Sequence, residues 1–298
     1  MATIDLMILG VEKAGTTALF RHLGQSPQVY THEQREMFYF QWDDEFQKGW
    51  DYAVGKYFAK NGDKFIVAKN VMQINSRDAL LRLKKQCPEV KCIIMLREPA
   101  SRAYSAYNYS VLRGAECSAT FEEALKLEDE RFEQDSAPNN PLLYLRNSTY
   151  ADKIESANEI FGKQNVLVIY HEEYKLKPRA QLELVEKFIG MNLFEGVELQ
   201  FKGHNRAAKA RFPWLAKLSF RLLRSQSGIK RLLRSMIPHE KATRLRHAFL
   251  NFNRIEAPYQ AMNEGTAKKI RQKLAGDRQA ILDIVGYCPW ESNESKLR

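Results

Sequence analysis

Ile4-Asp5-Leu6-Met7-Ile8-Leu9-Gly10-Val11-Glu12-Lys13-Ala14-Gly15-Thr16-Thr17 is the stretch that decides the fold. Ile4 to Leu9 is an apolar run with one polar interruption, the length of a strand. Gly10 to Thr17 makes a glycine-containing loop. Ala18, Leu19 and Leu23 then read as a helix that stops near Gly24, with Pro27 beyond. Strand, loop and helix in this order are the first half of a βαβ unit. A loop so placed points backbone N–H groups and the positive end of a helix at an anion. Thr16 and Thr17 add hydroxyl donors and Lys13 adds a full charge. The alternative is an N-capping threonine behind a flexible loop.

Further strands are expected at Phe65–Lys69, Cys92–Leu96 and Val166–Tyr170. The last two show no alternation, as for strands buried on both faces of a parallel sheet. Helices are expected past Pro99, where Tyr104, Tyr107 and Val111 recur at helical spacing, at Tyr150–Phe161, and at about Gly265–Val285. Strands alternating with helices predict an α/β fold with a central parallel sheet flanked by helices. Ser118–Asn140 is polar, with one helix around Phe121–Phe132, and reads as an excursion from the sheet. In such sheets ligands sit at the carboxyl ends of the strands. The Gly10–Thr17 loop, Lys69 and Arg97 all fall there.

Arg97-Glu-Pro-Ala-Ser-Arg-Ala-Tyr-Ser105 is the second informative stretch. It places an arginine at a strand end, a proline suited to start a helix, and a serine about two turns along. Arginine offers forked donors to a phosphomonoester and serine a hydroxyl. An ion pair between Glu98 and Arg97 or Arg102 is the alternative.

The chain has 298 residues, 44% hydrophobic and 28% charged, which excludes a disordered or a membrane composition. Its net charge of +10 invites a nucleic-acid or membrane-surface reading, but the charge is uneven. Residues 201–250 hold 13 Lys/Arg against one acid, Glu240, a net of +12 that leaves −2 for the rest. Within 214–236 the apolar residues fall at helical spacing, with Arg and Lys in the gaps. Such helices either pack on the main domain or meet an anionic partner, a membrane surface or an acidic glycan. Four scattered cysteines without C-x-x-C spacing give neither a disulfide framework nor a zinc site. No apolar run approaches a membrane span and no signal peptide is evident, so a cytoplasmic protein is expected, with the inner membrane face open to it.

Together the two stretches resemble the sulfotransferases that use 3′-phosphoadenosine 5′-phosphosulfate (PAPS). The match is closest to the branch with heparan sulfate sulfotransferases and their bacterial relatives. Gly10–Leu19 is similar to the family's 5′-phosphosulfate loop, and Leu96-Arg97-Glu98-Pro99 through Tyr107 to its 3′-phosphate motif. The resemblance covers about 3–110, 142–190 and 266–290. It implies a P-loop-like three-layer fold, here a single domain over 1–298 with a basic helical insertion at about 201–262. It implies that Lys13, Ala14, Gly15, Thr16 and Thr17 hold the 5′-phosphosulfate, and Arg97 and Ser105 the 3′-phosphate. Glu36 sits where the family has the Glu of K-E-x-H-F-F as base, with Phe38 at the family's His; Lys69 alone matches E-K-[ST]-P. Lys13, Glu36 and Lys69 are then the catalytic set, and His32 is the rival base. No metal is implied. The acceptor would be a hydroxyl or amine of a glycan or a lipid-linked molecule.

Two other classes compete. A P-loop kinase would need G-x4-G-K-[ST], yet Lys13 precedes Gly15 and the third strand ends in Arg97, not a metal-binding Asp. A non-enzymatic nucleic-acid adaptor has only the basic run behind it, with no zinc-finger spacing and no RNP-like motif, so no nucleic acid is expected.

Overall fold

Five short strands form one parallel sheet: β1 (Leu6–Gly10), β2 (Val29–Thr31), β3 (Phe65–Lys69), β4 (Lys91–Leu96) and β5 (Val166–Tyr170). Their order in the sheet is β2-β3-β1-β4-β5. A computed structural model describes residues 2–60, 62–137, 140–201, 208–212, 214–215, 252–257 and 259–290. β1 is central, with Ile8 opposite Lys69 of β3 on one side and Ile93 of β4 on the other. All of β1 is buried, as is β4 beyond Lys91. That is why both strands are apolar without alternation. β5 departs from this expectation. It is an edge strand, and Val166, Leu167 and Val168 are half-exposed. β2 is a strand that sequence reading does not assign, because three residues show no period.

The chain runs from β1 to the outer β2, returns beside β1 as β3, and crosses to the other side for β4 and β5. The direction of strand addition reverses at β1, which places the loop after β1 at the switch point where such sheets bind ligands. Helices link the strands: α1 (Thr16–Leu23), α2 (Asp43–Phe46), α3 (Trp50–Ala53), α4 (Arg77–Gln86), α5 (Pro99–Leu112), α6 (Phe121–Lys126), α7 (Glu128–Gln134), α8 (Ala151–Phe161), α9 (His171–Leu176) and α10 (Pro178–Ile189). After them come β6 (Ala208–Ala210) and β7 (Arg254–Glu256), paired antiparallel, then α11 (Glu264–Lys273) and α12 (Ala275–Val285).

Two expected helices are each split. The Phe121–Phe132 helix breaks at Leu127 into α6 and α7, and α6 opens with a Thr120–Glu123 capping box. The Gly265–Val285 helix breaks at Leu274. The break frees the Asp277 carboxylate to accept from the N–H groups of Tyr150 and Ala151 at the start of α8. Apolar periodicity carries across such breaks and does not reveal them.

The chain divides into two compact units: Met1–Arg102, Asn147–His204 and Lys269–Arg298 in the first, Ala103–Arg146 and Asn205–Lys268 in the second. The first holds the sheet and its core. In the second, buried Glu116 is a node. It accepts from both Arg131 terminal nitrogens at 2.9 and 2.8 Å, from the Tyr144 hydroxyl at 2.7 Å, and from the N–H groups of Cys117 and Ser118. Rings of Tyr104, Tyr107, Phe121 and Tyr144 pack around it. The excursion after Ser118 thus has its own polar and aromatic centre. The helices expected within 214–236 lie outside the described residues, apart from Trp214 and Leu215. Among the described residues no helix is long and apolar enough to cross a membrane.

Candidate active site

The loop between β1 and α1 carries two left-handed residues, Lys13 at φ 72° and Gly15 at φ 93°. Gly15 has no substitute here: a Cβ would also meet His171 Nδ1 at 2.9 Å. Lys13 is the only described non-glycine residue with positive φ. Holding it there costs about 1–2 kcal/mol, a strain that collects at binding loops. Left-handed residues flanking Ala14 give the loop the backbone alternation of an anion-binding nest, with the Ala14 N–H itself turned to the Val11 carbonyl at 3.2 Å. The matching carbonyls are tied down. Arg97 Nη1 donates to the Lys13 carbonyl at 3.1 Å, and His171 Nδ1 donates to the Ala14 carbonyl at 3.1 Å. A carbonyl only accepts, so Nδ1 carries the imidazole proton. No side chain caps α1, and while the Ala18 N–H donates to the Gly15 carbonyl at 2.9 Å, those of Thr16 and Thr17 are left for a ligand. Thr16 there is buried and Thr17 half-buried.

Cations gather at this loop faster than anions. Burial pushes the Lys13 ammonium down to about 8; the charges of Arg35, Arg97 and Arg102 push the same way, against Glu12. Burial also holds Arg97 below the usual arginine range, with Arg102 adding to the effect against Glu172, Tyr150 and Glu98. An oligo-anion in the nest relieves this repulsion, so the residues present fit a nucleotide bearing several phosphoryl or sulfuryl groups. The ion pair considered for Glu98 does not form. Its carboxylate accepts from the N–H groups of Ala100 and Ser101, capping α5, and pairs with Arg271 at 3.3 Å. Ser105 lies on α5, buried, and belongs to the second unit.

The loop after β2 returns to the carboxyl edge of β3, where the Met37 N–H donates to the Lys69 carbonyl. That places Glu36 against the last residue of β3. Lys69 Nζ donates to Glu36 Oε1 at 2.5 Å, and the Val71 N–H donates to Oε2 at 3.1 Å. Lys69 is 1% exposed and the Glu36 side chain 10%. Burial raises the Glu36 carboxyl above the ordinary carboxylate range, although Lys69 and the Val71 N–H oppose the shift. A buried carboxylate of raised basicity with lone pairs to spare can accept a proton. His32 cannot do so without breaking its contacts. Its Nδ1 donates to the Gln34 carbonyl at 2.8 Å, and Nε2 accepts from the Lys69 N–H at 3.2 Å. Burial pushes its ring down to about 4.

The aromatic run after Glu36 sorts into two groups. Tyr39 and Phe40 are core. Phe38 and Trp42 stack face to face with centroids 4.1 Å apart, and Trp42 is 46% exposed. Two residues near the site carry no sequence signal of their own, His171 and Glu172; Arg102, read as a candidate partner of Glu98, instead donates to the Asn147 carbonyl at 3.1 Å. Glu172 accepts from the Glu98 N–H at 3.1 Å and from Trp290 Nε1 at 3.0 Å. Both His171 and Glu172 follow β5 directly, so the rule that ligands gather at strand ends could have found them. Among the described residues, no three or more His, Cys, Asp or Glu side chains are grouped as a metal would need.

A family model described as the sulfotransferase domain matches residues 3–211. The match stops before most of the basic run. Heparan sulfate glucosamine 3-O-sulfotransferase 5 of Mus musculus is 27% identical over 187 residues, 62% of this chain and 53% of that protein. The bifunctional heparan sulfate N-deacetylase/N-sulfotransferase 1 of Xenopus laevis is 28% identical over 195 residues, 62% of this chain and 22% of that protein. The chain thus spans about half or less of the length of these relatives. Among solved structures, a sulfotransferase from Alicyclobacillus acidocaldarius is 25% identical with a TM-score of 0.59, covering 69% of this chain and 87% of that one.

Proposed function

The chain belongs to the sulfotransferase family, and we propose that it moves the sulfuryl group of PAPS to a hydroxyl, or an amine, of a carbohydrate or glycolipid acceptor. The observation that carries this reading is the Glu36–Lys69 pair, buried at the carboxyl end of β3 beside the loop-bearing strand β1. PAPS supplies an activated sulfuryl group whose leaving group is a phosphate oxygen. The chain then has two tasks: to take a proton from the acceptor and to steady charge on the leaving oxygen.

Glu36 takes the first task. Its proton acceptor is a carboxylate oxygen, and the acceptor oxygen bonds to sulfur as the sulfur–oxygen bond to the phosphate breaks. Both ring nitrogens of His32 are already engaged, which favours Glu36 over its rival. Lys69 holds Glu36 in place and keeps it ionised. Lys13, with the loop residues Ala14, Gly15, Thr16 and Thr17, takes the second task and binds the 5′-phosphosulfate; the Ala14 N–H itself is turned to the Val11 carbonyl at 3.2 Å. Arg97 is assigned to the 3′-phosphate. A glycan acceptor agrees with what the named relatives act on, and an acidic glycan would suit the +12 run at 201–250.

Calorimetric titration with adenosine 3′,5′-bisphosphate (PAP), and separately with ATP and magnesium, tests the donor. PAP should bind in the presence of a chelator. Tight binding of ATP with magnesium and none of PAP would move the chain to the kinase class.

A further inference from the structure

Phe38 and Trp42 are the two rings of the run after Glu36 that the core leaves out. Tyr39 and Phe40 are buried and pack against Trp50. The Phe38 carbonyl accepts from the N–H groups of Gln41 at 3.0 Å and Trp42 at 3.2 Å, a tight turn that lays the indole back on the Phe38 ring. The two planes are only 2° apart. Such a stack covers one face of the indole, so the 46% of Trp42 that is exposed belongs to the remainder. Among the described residues no other ring packs on it. Leaving that much aromatic surface in water forgoes stabilisation, yet the turn is held so that the surface stays open. Arg82 pins it on both sides of Trp42. Its Nη1 donates to the Phe40 carbonyl at 3.3 Å and its Nη2 to Asp43 at 2.5 Å, while the guanidinium lies 4.7 Å over the Phe46 ring.

Glu36 stands two residues before Phe38, and two residues span at most about 7 Å of chain. An aromatic shelf fixed that close to the base meets the molecule that the base deprotonates. One chemistry suits an open, one-sided shelf. The C–H bonds on a face of a pyranose ring are weakly positive and the face of an indole is weakly negative, while the sugar hydroxyls stay in water around the rim. A flat phenolic acceptor would instead need an enclosed slot that buries both of its faces. We propose that the Phe38–Trp42 pair is an acceptor subsite on which a pyranose ring stacks, and that Trp42 sets the preference for sugar acceptors over flat aromatic ones. This rests on the glycan-acceptor reading and names the surface that would select the glycan.

The test labels the full chain with 5-fluorotryptophan. Of the four tryptophan signals, that of Trp42 is the one missing from Trp42→Phe. Fluorine NMR follows it as cellotetraose, chitotetraose and a heparosan hexasaccharide are added in turn, with 2-naphthol as the flat control. At least one oligosaccharide should shift the Trp42 signal, and 2-naphthol should not. Calorimetry with that oligosaccharide should then show binding at least about tenfold weaker in Trp42→Ala, the usual weight of a tryptophan anchor, with most of the loss recovered in Trp42→Phe, which keeps a ring. PAP affinity should stay within about twofold in both variants. No shift with any oligosaccharide, a shift with 2-naphthol alone, or unchanged oligosaccharide affinity in Trp42→Ala each overturns the proposal. So does an equal loss of PAP and oligosaccharide affinity, which is what a merely structural turn would give. An oligosaccharide that shifts the signal yet takes no label from radiolabelled PAPS counts against sulfuryl transfer and not against the subsite.

Discussion

Replacing Glu36 by Gln removes a negative charge from a buried pair while keeping the side chain's shape. Gln still offers its carbonyl oxygen to Lys69 Nζ, now at 2.5 Å from Glu36, but it cannot take the acceptor's proton. Turnover should fall by about 10²–10⁴-fold, the usual weight of a positioned general base. PAP affinity should stay within about twofold, since Glu36 is assigned no contact with the donor. Stability should fall too. Lys69 is 1% exposed and would be left without its counter-charge, a loss of about 3–5 kcal/mol if it stayed protonated. It has an escape, since burial already lowers it from the ordinary lysine value and loss of Glu36 lowers it further. In the variant the unfolded state then binds a proton that the folded state releases. The stability of Glu36→Gln should therefore rise with pH between the lowered folded value of Lys69 and the unfolded lysine value. Adding Lys69→Met should recover part of the loss. Steady-state PAP release and urea denaturation at several pH values measure both effects. Turnover within about tenfold of the wild type would refute Glu36 as the base.

Other outcomes follow from the same geometry. The Lys13 ammonium, at about 8 in the free protein, must be charged to hold the leaving group, so kcat/KM for PAPS should fall as pH rises through about 8. On the acid side turnover should fall as Glu36 protonates, at a pH above the ordinary carboxylate value because burial raises it; a flat pH–rate profile would contradict both. Gly15→Ala forces a Cβ to 2.9 Å from His171 Nδ1 at φ 93° and should cost about 2–3 kcal/mol, from left-handed strain plus a lost hydrogen bond, read by thermal unfolding. His32→Ala should lower stability by about 1–3 kcal/mol through its two lost contacts while kcat changes less than about threefold. A fall in kcat as large as that of Glu36→Gln would make His32 the base.

The sheet was legible because its buried strands are short, apolar and separated by helices, a pattern that needs no tertiary knowledge. The β1–α1 loop was legible as a strand-to-helix turn because its glycines and threonines follow an apolar run and precede a helical one. What the pattern missed depends on where the chain meets itself. Glu36 and Lys69 are 33 residues apart, and their pairing depends on contacts between the two loops: Met37 N–H to the Lys69 carbonyl, Lys69 N–H to His32 Nε2, and Val71 N–H to Glu36. The edge position of β5 depends on strand order, which composition does not encode. Arg102 read as a candidate ion-pair partner of Glu98, whereas it is buried and donates to the Asn147 carbonyl. The breaks at Leu127 and Leu274 leave the apolar spacing on either side intact.

Sulfuryl transfer itself is the central claim, and label transfer tests it most directly. The full chain is incubated with radiolabelled PAPS, a chelator and a panel of glycan acceptors, with Glu36→Gln alongside. The label should move from PAPS to a glycan in the wild type, with one PAP released per transfer, and stay on PAPS in the variant. Label that remains on PAPS with every acceptor, while phosphate from labelled ATP is transferred once magnesium is restored, would contradict the account.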